Sequence, residues 1–540
     1  MGLVVGKGGV VASGHPAVSE AGVAILRRGG NAVDAAVGAL FTSFHAEPLL
    51  GSPAGGGFLV ARVDGEPVAW DFFAAAPGRG RTGGAPWKPE PGAFWGAEVD
   101  FGAARQIFHV GPGSVAVPGI LAGLVAAQAE AGRLSLAEVL EPGRVACEAG
   151  TRTHGVGAFV LTLLEPIIRS DPDFERLHVR SDGTLLQEGD RYRNPDLGRF
   201  YDLVARAGGA APFYTGSVAD ALVQTVGGRG GGLTREDLAT YRVTRGAPLE
   251  VRLGGTRVWL PPAPSSGGML LAYKLALLEG FPPGSPGSRE EILLLRACMA
   301  QALHARGDIL GTDTPTADHA AALLDPTTVA VGRRRVRRLL GLGPRPLPPE
   351  PSTPLGSTTH VSVLDAEGNA AAVTVSNGEC SGLVLPGHGV FLNNFLGEED
   401  IHPAGFHRVP PGQRLQSSMT PLLVLSEGGA VTALGSGGSN RIRTALLQVV
   451  RNRVTHGLAP GDAVRADRLH YEDGTLYGEA ATTLAEVLPA LAEEGARVAL
   501  FHGRNMFFGG AHLAERGADG IVRGVGDDRR SGAAAVLTSL

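Results

Sequence analysis

Two adjacent threonines, Thr358 and Thr359, follow a run made mostly of turn formers over 343–356 and precede the alternating apolar residues Val361 and Val363. Threonine is a weak nucleophile until a base sits beside its hydroxyl, and its own α-amine can be that base. The amine exists only when the preceding bond, Ser357–Thr358, is cut. Pro344, Pro346, Pro348, Pro349 and Pro354 forbid regular structure in the run and keep it exposed. The alternation after it reads as a strand that starts at the threonines. An accessible linker running into Thr-Thr at a strand start predicts self-cleavage that creates an N-terminal threonine nucleophile. Taken alone, such a pair is far more often an ordinary β-forming strand start.

The elements that must position these residues are legible at coarse grain. Strands over 359–364 and 370–376, joined by a turn at 367–369, predict a hairpin with the threonines at one end. A second hairpin is expected from 58–63 and 67–72 around Asp64-Gly65. Helical spacing over 17–28 stops at Gly29-Gly30. Asn31 then caps a second helix with Asp34 three residues on, and 35–44 is apolar enough to be buried. The middle, about 118–306, reads as mostly helical, with Thr234 capping a turn rich in acids. Further helices are expected over 444–454 and 480–494. Sheets between helices fit an α/β or α+β sandwich.

Other chemistries find less support. No G-x-S-x-G elbow occurs. There is no H-E-x-x-H, and His388, His402 and His407 are expected to decorate a loop. The glycines of 227–232 lack the Lys-Ser/Thr of a phosphate loop. No motif calls for a metal or a cofactor. The 540 residues carry 44% hydrophobic and 19% charged side chains with a net charge of −5, an ordinary globular balance with nothing to attract nucleic acid. The arginines of 333–338 are expected on the polar face of a helix. Cys147, Cys298 and Cys380 cannot all pair, which fits a reducing compartment. No basic start followed by a long apolar run is visible, so no signal peptide, no membrane segment and a cytoplasmic address are expected.

The block Thr358-Thr-His-Val-Ser-Val-Leu-Asp-Ala-Glu-Gly-Asn-Ala-Ala-Ala-Val-Thr374 resembles the nucleophile segment of the γ-glutamyltranspeptidase family. The likeness continues through Gly389–Asn394, Arg414–Met419 and Gly435–Ser439, and upstream through Gly29–Ala36, Pro212–Gly216 and Pro261–Gly268. The resemblance implies an α+β fold, the four-layer αββα sandwich of N-terminal-nucleophile hydrolases. It implies self-cleavage into 1–357 and 358–540, which stay together as a heterodimer in one interleaved globular unit. Thr358 would cleave itself free and then attack a small-molecule γ-glutamyl amide, passing the acyl group to water or an amine. Gly437-Gly438 or Gly438-Ser439 would supply an oxyanion hole. Ser376 stands where the family has a threonine that hydrogen-bonds the nucleophile, and Thr359 is the other candidate for modulating Thr358. Ser417 and Ser418 match a pair that holds the substrate's α-carboxylate.

Departures from the family bear on the substrate. An arginine that pairs with the α-carboxylate is replaced by Phe73, after Asp71-Phe72. Glu398 stands for the acid that binds the α-ammonium, Phe395 for a glutamine, and Gly378 for an asparagine, with Asn377 adjacent. A replacement cation is sought among Arg79, Arg81, Arg105 and Arg408. Phe73 and Phe395 are expected to line a pocket for an apolar acyl group. The short stretch from Glu398 to Ser417 implies a reduced lid, which favours hydrolysis. The competing readings are an amidase or acylase of another acyl specificity, and an inactive homologue that binds through the old pocket.

Overall fold

The hairpin carrying the threonines forms as read. Thr359–Leu364 pairs antiparallel with Ala370–Ser376, Thr359 opposite Val375 and Leu364 opposite Ala370. Asp365 closes the turn: its Oδ1 accepts from the N–H groups of Glu367 and Asn369 at 2.9 and 3.0 Å. Its Oδ2 reaches out of the sheet and accepts from Ala32 N at 3.1 Å, the first turn of the helix Ala32–Ala46. That helix start also carries the reciprocal Asn31–Asp34 capping box. Asn31→Ala therefore lowers stability by about 1 kcal/mol, read as a fall in urea midpoint at unchanged slope.

The structure is a computed structural model that describes residues 2–81, 83–100, 105–345 and 357–538. From 346 on, the turn-forming run before Thr358 lies outside the described residues. Two seven-stranded sheets dominate. One runs in the order Ala533–Val536, Val10–Ser13, Thr359–Leu364, Ala370–Ser376, Gly56–Val63, Glu66–Phe72, Thr244–Gly246. The other runs Val4–Gly6, Val522–Val525, Gly510–Arg516, Val431–Gly437, Leu422–Leu425, Thr256–Leu260, Leu249–Leu253. Both draw strands from either side of residue 357.

Period-two alternation decides what each strand shows to which side. In Thr359–Leu364, Val361 and Val363 pack among the helices Pro16–Arg27 and Ala32–Ala46. Leu364 faces the opposite way and meets Leu423, Ala433 and Ala514 of the other sheet. His360 lies between the sheets. Its ring bonds Thr374 Oγ1 and Ser362 Oγ, each at 2.8 Å, and a Cβ on Gly435 would lie 2.2 Å from it. Helices Ser266–Leu278, Arg289–Ala305 and Ile442–Val454 cover the outer face of the second sheet. The layers are helix, sheet, sheet, helix, the αββα sandwich.

The middle of the chain is less helical than its spacing suggests. Leu249–Leu253 and Thr256–Leu260 form a hairpin about Gly254 and Gly255, whose φ of 55° and 81° suit only a glycine-like turn. The alternation Val251, Leu253, Val258, Leu260 puts their side chains into the core beneath the helices. The arginines of 333–338 do lie on a helix, Pro326–Gly341. Among the described residues no helix is long and apolar enough to cross a membrane.

Candidate active site

Sheet register places the threonine. Thr358 sits one residue before its strand, opposite Ser376, which pairs with Gly56. Phe73 follows Phe72, the partner of Gly57. One row across four neighbouring strands thus reads Thr358, Ser376, Gly56, Phe73. This row lies at the end of the first sheet, where Gly437 of the other sheet approaches Thr358.

The Ser357–Thr358 bond is enclosed, not accessible as the sequence suggested: Ser357 is 8% exposed and Thr358 5%. Three contacts hold Ser357. Its N–H donates to Glu379 Oε1 at 2.7 Å and its hydroxyl to Glu379 Oε2 at 2.5 Å. Its carbonyl oxygen accepts from Ser376 Oγ, which in turn accepts from Gly378 N at 3.0 Å. Ser376 thus grips the carbonyl of the residue before Thr358, whereas the resemblance placed its bond on Thr358 itself. A donor there stabilises the oxyanion that forms when Thr358 Oγ1 adds to that carbonyl.

Burial raises the Glu379 carboxyl to about 7, against hydrogen bonds from Ser357 and the charge of Arg530, which lower it. Below that pH one oxygen carries a proton and no longer accepts from Ser357; above it both accept. Self-scission therefore speeds up as pH rises through about 7, and Glu379→Gln removes that step. The check is a gel time course on precursor made by cell-free synthesis and shifted to buffers on either side of neutrality.

The glycine turn meets Thr358 from the other sheet. A Cβ on Gly437 would lie 2.2 Å from the Thr358 carbonyl oxygen, and Gly438 has φ 118°. Both glycines are required by that close approach and backbone form. Ser439 Oγ donates to Asp400 Oδ2 at 2.6 Å. Glu398 lies alongside; burial, Asp400 and Glu379 together push its carboxyl well above the usual range. Its inner oxygen Oε1 is enclosed without a hydrogen bond among the described residues. A Cβ on Gly378 would come within 2.2 Å of that oxygen and 2.0 Å of Asn394 Oδ1. The two departures therefore belong together: the longer acid fills the space that the family's asparagine side chain would take.

Several expected site residues lie elsewhere. Thr359 turns to the other side of the strand, where its Oγ1 donates to Glu47 Oε2 at 3.0 Å. Burial raises Glu47 to about 7. Asn377 alternates away from Ser376 and bonds Cys380 Sγ and Phe391 O, so it does not join the cluster. Phe73 and Phe395 pack on each other at 4.8 Å, each 1% exposed, and Phe73 stacks on Phe58. They fill a closed apolar block instead of lining an open pocket, because Gly56 lets the Phe73 ring lie directly over the strand. Ser417 Oγ accepts from Met419 N at 3.2 Å, the turn-capping role, while Ser418 Oγ reaches Asn440 Oδ1 at 3.3 Å.

None of the described replacement cations stands at the cluster. Arg79 lies over Gly412, Arg81 donates to Gly231 O and Arg408 is exposed. The Arg105 side chain lies outside the described residues. Asp71 is engaged by Arg414 at 3.0 Å. The cations near the acids are Arg306, Arg441 and Arg443 around Asp400, and Arg530 near Glu379 and Glu47. Sequence reasoning missed Glu379, Asp400, Glu47 and Arg530. Glu379 and Asp400 carried a usable signal, since each lies within three residues of a singled-out position.

The αββα sandwich is the fold of the N-terminal-nucleophile hydrolases. Over residues 18–537 the chain matches the model of the family described as Gamma-glutamyltranspeptidase, and it belongs to that family. It is 33% identical over 521 residues to an acylase ACY 1 proenzyme of Pseudomonas sp. (strain SE83), covering 91% of this chain and 88% of the relative. It is 30% identical over 507 residues to the glutathione hydrolase proenzyme of Bacillus subtilis (strain 168), covering 87% and 83%. Its fold is similar to that of a cephalosporin acylase from Bacillus halodurans, at a TM-score of 0.82, 23% identity, and coverage of 100% and 98%. The chain is a hydrolytic enzyme of this family.

Proposed function

We propose that Thr358 cuts its own chain and then serves as the nucleophile of an amide hydrolase whose first substrate class is γ-glutamyl amides. The observation that carries this is the clamp on Ser357: its carbonyl lies between Thr358 and the Ser376 hydroxyl, while Glu379 holds its N–H and hydroxyl. In self-scission Thr358 Oγ1 adds to the Ser357 carbonyl carbon and the C–N bond breaks. The nitrogen leaves as the free Thr358 amine, taking the Oγ1 proton, and water then hydrolyses the resulting ester to a Ser357 carboxylate and the Thr358 hydroxyl, leaving chains 1–357 and 358–540. In turnover that amine takes the Oγ1 proton and delivers it to the leaving amine of the substrate, and the acyl-threonine then passes to water. The N–H groups at Gly437-Gly438 take the developing oxyanion. Glu398 of the acid cluster is assigned to the α-amine of the acyl donor.

A second reading, an amidase or acylase of another acyl specificity, is favoured by Phe73. The apolar ring occupies the row position where the family places a carboxylate-binding arginine, and it is sealed by Phe58 and Phe395. Release of p-nitroaniline from γ-glutamyl and glutaryl p-nitroanilides separates the two. Turnover of the γ-glutamyl compound alone supports the first reading, equal or better turnover of the amine-free compound supports the second, and turnover of neither overturns both.

A further inference from the structure

Two consecutive arginines on the turn Asp528–Arg530 have opposite fates. Arg529 is fully engaged: its head donates to both Glu479 oxygens, to Asp527 Oδ1 and to the carbonyls of Val464 and Ala466. Arg530 is only 7% exposed, yet its guanidinium makes no hydrogen bond or ion pair among the described residues, and its Nε is enclosed. A buried guanidinium ordinarily has its donors paired.

The place of that head group is specific. The Arg530 stem lies along Gly510, where a Cβ would fall 2.7–2.9 Å from its Cβ, Cγ and Cδ. Its Nη1 and Nη2 lie 3.3 and 3.2 Å from where Cβ atoms on Gly437 and Gly438 would stand. On its other side it lines an apolar chamber walled by Leu49, Val160, Leu161 and Met506, with Glu47 as the other charged residue of the lining. Glu47 and Glu379 attract it. Glu47 Oε2, however, is taken by Thr359 and both Glu379 oxygens by Ser357. The charge is partly balanced while the forked donors stay unused.

We infer that Arg530 recognises a carboxylate on the acyl donor, so that the enzyme takes mono-amides of dicarboxylic acids. This rests on the hydrolase reading above. A planar fork of N–H groups matches a carboxylate at two points. Its position beside Gly437 and Gly438 suits an anion a few bonds from the carbonyl under attack. The cation that Phe73 lacks thus comes from the C-terminal turn, across the nucleophile from the family's position. Burial lowers Arg530 only to about 10, so it stays charged at neutral pH.

The test is calorimetric titration of processed wild-type protein and Arg530→Gln with glutarate and with glutaramide, its uncharged counterpart. Wild type is expected to bind glutarate about 10- to 100-fold more tightly than glutaramide, and Arg530→Gln to bind the two alike. Equal binding by wild type, or the preference kept in Arg530→Gln, overturns the assignment. Should Arg530→Gln fail to process or fold, the wild-type comparison still decides, and Arg530→Lys is expected to keep part of the preference. Failure of wild type to hydrolyse either p-nitroanilide sinks the hydrolase reading, whereas the glutarate titration judges Arg530 independently of turnover. A fall in kcat of equal size on charged and neutral acyl donors, with KM unchanged, would assign Arg530 to the oxyanion and overturn carboxylate recognition.

Discussion

Thr358→Ala leaves the protein a single chain of 55.5 kDa with no amidase activity, while wild type resolves into two chains that meet at Ser357/Thr358. The reason is that one hydroxyl carries both reactions. Without it nothing adds to the Ser357 carbonyl, and without scission no α-amine exists to take a proton. Loss of a nucleophile of this kind costs about 10⁶-fold in kcat, so the variant is silent in any ordinary assay. Thr358→Ser keeps a hydroxyl in the same place and is expected to process, more slowly. Intact-mass spectrometry of the three proteins, with thermal melts to show that each is folded, makes the check. Wild type that stays whole, or Thr358→Ala that still splits, removes the proposed nucleophile.

Ser376→Ala slows self-scission by about 10²- to 10³-fold, the typical effect of deleting one oxyanion donor. Its hydroxyl is the side-chain donor on the Ser357 carbonyl among the described residues, and Gly378 N holds that hydroxyl in place. Removal also leaves the enclosed carbonyl and Gly378 N short of a partner. Ser376→Thr keeps the donor, and its added methyl matches what the family carries there, so near-normal scission is expected. The measurement is the half-time of chain splitting after cell-free synthesis. An alanine variant that splits at the wild-type rate would show that the Ser376 contact plays no part in the chemistry. If Ser376→Ala splits slowly yet turns over substrate normally once split, the residue acts on the precursor alone.

Much of the site could be read along the chain because its parts are local. Thr358, the hairpin behind it and Ser376 lie within one short stretch, so strand alternation and hairpin pairing alone put the two hydroxyls side by side. The Asn31–Asp34 cap and the capped turn at Thr234 depend on neighbours three residues apart and form as expected. The glycine pair at 437–438 was legible as a close backbone approach. Sequence by itself therefore pointed to Thr358 as the proposed nucleophile and determined the strand beside it and the family to which the chain belongs.

Tertiary structure alone decided what surrounds that hydroxyl. Whether the Ser357–Thr358 bond is open or enclosed depends on Glu379 and Ser376 folding back over Ser357, whereas the proline-rich run before it had suggested an accessible linker. Phe73 was read as a pocket wall, but Phe58 and Phe395 come from separate strands and turns to close over it. Asn377 and Thr359 were placed at the site by adjacency, and a strand sends neighbours to opposite faces. The uncommitted cation, Arg530, arrives from the far end of the chain. Its neighbour Arg529 has the same local sequence environment and is fully paired. Local residue type cannot distinguish two such arginines, because what separates them is which carboxylates the packed sheets bring within reach.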